Sequence, residues 1–257
     1  MSDDLHRPPR RGPRNVADAF APRPSRATGC DRRARGELTV DDARRRDLLL
    51  VALTFAAGAV DAVVFLRLDV FTAVMTGNIV LLGLAIGQGA FRNALRSLIA
   101  LLAYSVGVVA GARIVDTIAI ESHWSPKVTR ALVTEWVLQV GFFVGWLLSG
   151  ANPDGVGAAT LIAVSGVSMG MQAAAVRALA PGMSTTYVTG TLTGLLSELS
   201  ALGTVSGDRR RRASIVVALA FGAILSAFAL STVPVVAPAI PLVVIGGVLA
   251  VARSGFD

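Results

Sequence analysis

Eight apolar runs, near residues 48–66, 72–88, 95–116, 131–150, 156–176, 185–203, 213–232 and 235–252, follow one another with only short polar breaks. A helix needs about 20 apolar residues to cross a hydrocarbon layer roughly 30 Å thick, and a water-soluble fold has no use for so many such runs. Composition agrees, since 53% of the chain is hydrophobic, 16% is charged and the mean hydropathy is +0.64. The expectation is an all-α, polytopic transmembrane helical bundle with the lipid bilayer as its solvent.

The net charge of +7 is segregated, because nine of the 24 basic residues precede Arg44 and the rest punctuate the apolar runs. Residues 1–43 read as a disordered Arg/Pro-rich tail, without helical periodicity. Its Arg7, Arg10, Arg11, Arg14, Arg32, Arg33 and Arg35 lack the interleaved aromatics of a nucleic-acid surface. They suit solvent or anionic lipid, and no nucleic-acid partner is expected. Arg44-Arg45-Arg46 ahead of Leu48 imitates a secretory signal. The apolar run that continues to Leu66, behind so long a tail, favours an uncleaved first span instead. A lone Cys30 permits no disulfide within the chain, and His6 and His123 are too far apart in sequence to suggest a site, so no metal and no cofactor are expected. With no Ser-His, Cys-His or HExxH arrangement, the chain does not read as an enzyme.

Two of the eight runs are weak: 185–203 would insert poorly alone, and 72–88 is better but still polar. Segment 72–88 carries Thr72, Thr76, Gly77 and Asn78, and 185–203 carries Thr185, Thr186, Thr189, Thr191, Thr193, Ser197 and Glu198. They resemble each other: Val74-Met75-Thr76-Gly77-Asn78-Ile79 lies over Tyr187-Val188-Thr189-Gly190-Thr191-Leu192 at an offset of 113. Neighbours follow, Asp61 near Gln172 at 111, and Arg96, Gly107 and Gly111 on Arg211, Gly222 and Ser226 at 115. Two diverged repeats, about 44–150 and 156–257, within a transmembrane domain of 44–257, account for this pattern, with chance similarity among small apolar residues as the alternative.

Basic residues collect in cytoplasmic loops, which makes the number of spans testable. With eight spans and the tail inside, ten basic residues lie inside and five outside. If the two Thr-Gly segments dip in and return, six spans remain. Arg113, Lys127, Arg130 and Arg177 then move inside while Arg92 and Arg96 move out, and the ratio becomes twelve to three. Six spans plus two re-entrant or broken segments is the favoured architecture, with eight spans as the alternative. Three spans per half would invert the repeats about the membrane plane. The implied location is a bacterial inner membrane, multi-pass, with a cytoplasmic N-terminus.

Polar residues inside the runs are the candidate site, since each costs energy in lipid unless it is compensated. Asp61 follows thirteen uncharged residues. It reads either as an ion pair with Arg67 or Arg96, or as a proton- or cation-responsive group. Thr76-Gly77-Asn78 and Thr189-Gly190-Thr191 read either as helix-packing residues or as broken segments whose freed backbone lines a central site. Glu135 and Gln139, four apart, share one helix face. Glu135 points to the bundle interior or pairs with Arg130. Gln172 lies deep in its run, where a hydrogen bond across the repeat interface would satisfy it.

Ala57-Gly58-Ala59-Val60-Asp61-Ala62, Met75-Thr76-Gly77-Asn78 and Tyr187-Val188-Thr189-Gly190-Thr191-Leu192 resemble the YoaK family of bacterial membrane proteins over roughly residues 48–252. The resemblance implies a multi-spanning protein of about six helices and brings no substrate. One departure is Gly170-Met171-Gln172-Ala173-Ala174, where the family pattern has Asn in place of Ala173. This removes a polar group beside Gln172. Two functions fit these readings. One is a transporter or exporter of an unknown small molecule or ion, with Asp61 and Glu135 coupling it to protons. The other is a non-transporting membrane scaffold or partner protein.

Overall fold

The computed structural model describes residues 40–115, 124–179 and 207–255, together with Gly190, 192–194 and Leu196. Most of the N-terminal tail, Thr189 and Thr191 lie outside the described residues. The described chain is a polytopic bundle of helices: α1 (Val40–Leu68), α2 (Met75–Gly87), α3 (Phe91–Val115), α4 (Pro126–Leu148), α5 (Gly155–Leu179), α6 (Gly207–Thr232) and α7 (Ala239–Gly255). Five of these, α1 and α3 to α6, are long and apolar enough to cross a bilayer. Helix α1 begins at Val40, within the stretch read from sequence as tail.

Local chemistry sets the helix ends. Ser125 caps α4 by accepting from the Val128 amide at 3.4 Å, with Pro126 in the first turn, where its missing N–H costs nothing. Helix α4 closes through Gly150 and Ala151, both at positive φ, with the Ala151 amide donating to Trp146 O at 3.1 Å. Gly89, at φ +70°, ends α2 in the same way, the Ala90 amide reaching back to Ala85 O at 2.8 Å.

Two buried apolar clusters mark the two ends of the bundle. One unites Leu49, Leu50 and Leu53 of α1 with Val115 at the close of α3, Val128 and Leu132 early in α4, Val176 and Leu179 late in α5, and Val248 and Ala252 late in α7. The other unites Val64 and Leu68 late in α1 with Ala100 early in α3, Trp146 late in α4, Ile162 early in α5 and Leu230 late in α6. Asp47 of α1 lies 3.7 Å from Arg211, which places the start of α6 at the first end. Helices α1, α3, α4, α5, α6 and α7 therefore run alternately from end to end.

Helix α2 does not traverse. It holds 13 residues, about 20 Å of helix, short of the roughly 30 Å hydrocarbon layer. Arg96, in the second turn of α3, donates to Leu68 O at 3.3 Å and to Asp69 Oδ2 at 3.2 Å. The chain thus leaves α1 and enters α3 at the same end. It likewise leaves α5 and enters α6 at the same opposite end.

Helices α1 and α5 are central, with 67% and 72% of their spans buried, against 28–33% for α3, α4 and α6. Each central helix is gripped by one partner, α1 by α6 and α5 by α3, through glycines at the crossings. A Cβ on Gly58 would strike the carbonyl of Leu219, and one on Gly222 that of Phe55. A Cβ on Gly170 would strike the carbonyl of Tyr104, and one on Gly107 that of Val167. Small residues are what allow helix backbones in a membrane protein to approach so closely.

Candidate functional site

Within the spanning helices and α2, the charged residues lie near the helix ends with two exceptions, Asp61 and Glu135. Both are buried, and they are handled differently.

Asp61 sits seven residues, about 10 Å, before the end of α1. The segment after α1 folds back against it. Oδ1 accepts from the amides of Thr72 at 2.7 Å and Ala73 at 2.8 Å, and Oδ2 from the amide of Val74 at 3.1 Å. Asp61 therefore holds the turn that leads into α2, taking the amides of its last three residues rather than those of the first helical turn; Val74, the α2 N-cap residue, makes no side-chain cap bond. Bonds from amides to a charged acceptor are among the stronger ones, and three of them offset the desolvation of the carboxylate. Neither Arg67 nor Arg96 fills this role. Arg96 pairs instead with Asp69.

The Thr-Gly-Asn motif of α2 serves the same turn. Asn78, fully buried, accepts from the Phe71 amide at 2.9 Å and donates to Phe71 O, clamping one residue of the turn by both its backbone groups. Gly77 leaves space for the Phe71 ring, which a Cβ would meet at 2.9 Å, and that ring stacks on Phe65 with centroids 4.5 Å apart. Thr76 is exposed. In the second motif Gly190 is helical and exposed, while Thr189 and Thr191 lie outside the described residues.

Glu135 and Gln172, read separately in the sequence, are bonded to each other. The Gln172 amide donates to Glu135 Oε1 at 2.9 Å, linking α4 to α5. Arg130 is exposed, one turn toward the start of α4, whereas Glu135 is fully buried. Glu135 Oε2 and Gln139 Nε2 lack hydrogen-bond partners. A buried acceptor and a buried donor on one helix face, both unsatisfied, form a place where a proton, a cation or a small polar solute would be stabilised.

Ser165, Ser168 and Gln172 complete the polar interior. Spaced by three and four residues, they share one face of α5, and all are buried. Ser165 donates to Thr72 Oγ1 at 3.0 Å, and Ser168 donates to the Glu135 carbonyl at 3.4 Å. Sequence reading passed over both serines because isolated serines are common in membrane helices; their spacing from Gln172 was the available signal. At the end of the bundle where α1 finishes, a cavity of about 290 Å³ opens between α1, α2 and α3. Phe65 and Asp69 line it, one and two turns beyond Asp61, with Gln88, Asn93 and Ser97.

Comparison with known proteins adds kinship. Residues 49–252 match the family model described as a protein of unknown function, DUF1275. The chain is 36% identical over 217 residues to the UPF0700 transmembrane protein YoaK of Bacillus subtilis (strain 168), covering 81% of this chain and 94% of that one. No solved structure matches. With a family model spanning most of the chain and a relative aligned over nearly its full length, this chain belongs to the YoaK (DUF1275) family of transmembrane proteins.

Proposed function

We propose that this chain is a transporter or exporter rather than an enzyme, moving a small molecule or ion across a bacterial inner membrane, with Glu135 as the group that exchanges the coupling ion. The observation that carries the reading is the buried carboxylate of Glu135, whose Oε2 has no partner beside the equally unsatisfied Gln139 Nε2. Asp61, by contrast, has both oxygens occupied by backbone amides.

The arrangement of helices supports the same reading. The glycine crossings are reciprocal: Gly58 and Gly170 differ by 112 positions, as do Phe55 and Val167, while Tyr104 and Leu219 differ by 115, as do Gly107 and Gly222. One operation that carries α1 onto α5 and α3 onto α6 accounts for all four contacts. Because α1 and α5 run in opposite directions, that operation inverts the halves about the membrane plane, the construction used by many secondary transporters. In this register Asp61 corresponds to Ala173 and Gln172 to Val60, one residue away from the offset read in the sequence. The halves thus share a frame and differ in their polar residues. Orientation follows from charge: Arg44–46, Arg113, Lys127, Arg130, Arg177, Arg209–212 and Arg253 fall at the end where α1 begins, against Arg67, Arg92 and Arg96 at the other. Twelve against three supports a cytoplasmic first end and a cytoplasmic N-terminus.

A melting screen of detergent-purified protein against metabolites, ions and drugs, followed by flux in proteoliposomes, tests the proposal. A ligand that stabilises the wild type is expected to lose that effect with Glu135→Gln, together with any dependence of flux on a proton gradient. Unchanged stabilisation and unchanged coupling in Glu135→Gln would remove Glu135 from the site.

A further inference from the structure

We propose that the coupling ion is a proton, and that it travels between Glu135 and Asp61 along the hydroxyl face of α5 by way of Ser168, Ser165 and Thr72. The proposal rests on Glu135 being the exchanging group.

The direction of the hydrogen bonds carries it. Asp61 accepts from three amides, so its carboxylate acts as an acceptor toward Thr72 as well. Thr72 Oγ1, 3.4 Å from Asp61 Oδ1, therefore spends its proton on Asp61. Its lone pair is left to accept from Ser165 Oγ at 3.0 Å. Ser165, Thr72 and Asp61 thus form an aligned chain in which every donor points toward the carboxylate. Such a chain is what a hopping proton uses, each oxygen taking a proton on a lone pair and releasing its own to the next.

Ser165 and Ser168 stand one turn apart on the same face, about 5–6 Å between Cβ atoms, a gap that one hydrogen-bonded water spans. Ser168 donates to the Glu135 backbone carbonyl, and Gln172, one further turn along, holds Oε1 of Glu135; Oε2 makes no hydrogen bond at rest, so transfer requires the Ser168 hydroxyl to turn from that carbonyl to accept from Oε2. The exchange balances simply: one O–H bond of Glu135 breaks, one O–H bond of Asp61 forms, the intervening hydroxyls end with one proton each, and no electron changes hands. Among the described residues no other carboxylate or basic side chain lies in mid-membrane. Between Asp47 and Arg67 on α1, Arg130 and Leu148 on α4, and Asp154 and Arg177 on α5, Asp61 and Glu135 are the charged side chains; α3 has Tyr104 but no charged residue between Arg96 and Arg113, and α6 after Arg212 and α7 before Arg253 have none. Asp61 lies toward the end of the bundle that holds the 290 Å³ cavity, which gives the route a direction.

Infrared difference spectroscopy on the full chain in lipid tests this without an identified substrate. A protonated-carboxyl band that titrates with pH is expected, absent in Glu135→Gln, whose hydrogen exchanges for deuterium when the buffer is switched to heavy water. Exchange is expected to slow about tenfold or more in Ser165→Ala and in Thr72→Val, because the proton then waits for a local opening of the bundle. It is expected to stay at the wild-type rate in Thr72→Ser, which keeps the hydroxyl. Wild-type exchange in both Ser165→Ala and Thr72→Val would overturn the route and leave the Glu135 site standing. A spectrum in which Glu135→Gln removes no carboxyl band would overturn both.

Discussion

Asp61 offers its two oxygens to the buried amides of Thr72 and Ala73 and the half-buried amide of Val74, so Asp61→Ala strands at least two donors away from water. Each stranded buried amide costs about 1–3 kcal/mol, and the variant is expected to lose about 3 kcal/mol or more of stability, read as a lowered melting temperature in detergent. Asp61→Asn keeps one acceptor oxygen and is expected to fall between it and the wild type. Glu135→Gln should behave differently. Its retained carbonyl oxygen still accepts from Gln172, so melting is expected to change little, by about 1 kcal/mol at most, even where coupling is lost. Asn78 belongs with Asp61: removing its amide in Asn78→Ala releases both backbone groups of Phe71 and is expected to destabilise by about 2 kcal/mol. Two polar residues of similar appearance in the sequence, Asp61 and Glu135, are thus separated by one measurement of stability.

Among the helices, the glycine crossings decide what can be substituted. Alanine at Gly58, Gly107, Gly170 or Gly222 drives a methyl group into a backbone carbonyl, which has no rotamer by which to withdraw. Each is expected to cost about 1–3 kcal/mol, the range for overpacking a tight interface. Gly83 and Gly141 have nothing within 4 Å of an added Cβ. Alanine there is expected to be neutral or to stabilise by about 0.5–1 kcal/mol, since it lowers the entropy of the unfolded helix. Melting curves of the two sets, side by side, check whether the crossings or glycine content in general hold the bundle. The small-residue spacing of Gly107 and Gly111 was visible in the sequence, but the choice of partner was not. A glycine states that something approaches closely; only the packed bundle shows that α5 approaches α3 and α6 approaches α1.

For the molecule in its membrane, the two ends of the bundle should be told apart by reagents that do not cross lipid. In a Cys30→Ser background, Gln88→Cys, exposed beside the end of α2, is expected to react on intact cells. Arg130→Cys, exposed near the start of α4, is expected to react only after permeabilisation. Gln88 is preferable to Gly89, whose positive φ a side chain would strain. Labelling of both from the same side would contradict the end-to-end alternation of the helices, and labelling in the reverse pattern would contradict the orientation taken from the basic residues.

Apolar run length and the spacing of basic residues were enough to determine a polytopic helical bundle, because a chain in lipid must satisfy its backbone within helices and each span needs a fixed length of apolar residues. The same pattern picked out segment 72–88 as unlike its neighbours and Asp61, Asn78, Glu135 and Gln172 as residues that need partners. The identity of those partners was decided only by tertiary structure. Asp61 meets backbone amides from a turn eleven to thirteen residues on, and Glu135 meets Gln172 across 37 positions of chain. A backbone amide carries no sequence signature, and a hydrogen bond between helices depends on their rotation and depth, quantities that periodicity leaves open. That is why the sequence could mark both carboxylates as costly, while the fold distinguishes the one with both oxygens hydrogen-bonded from the one with an oxygen left without a partner.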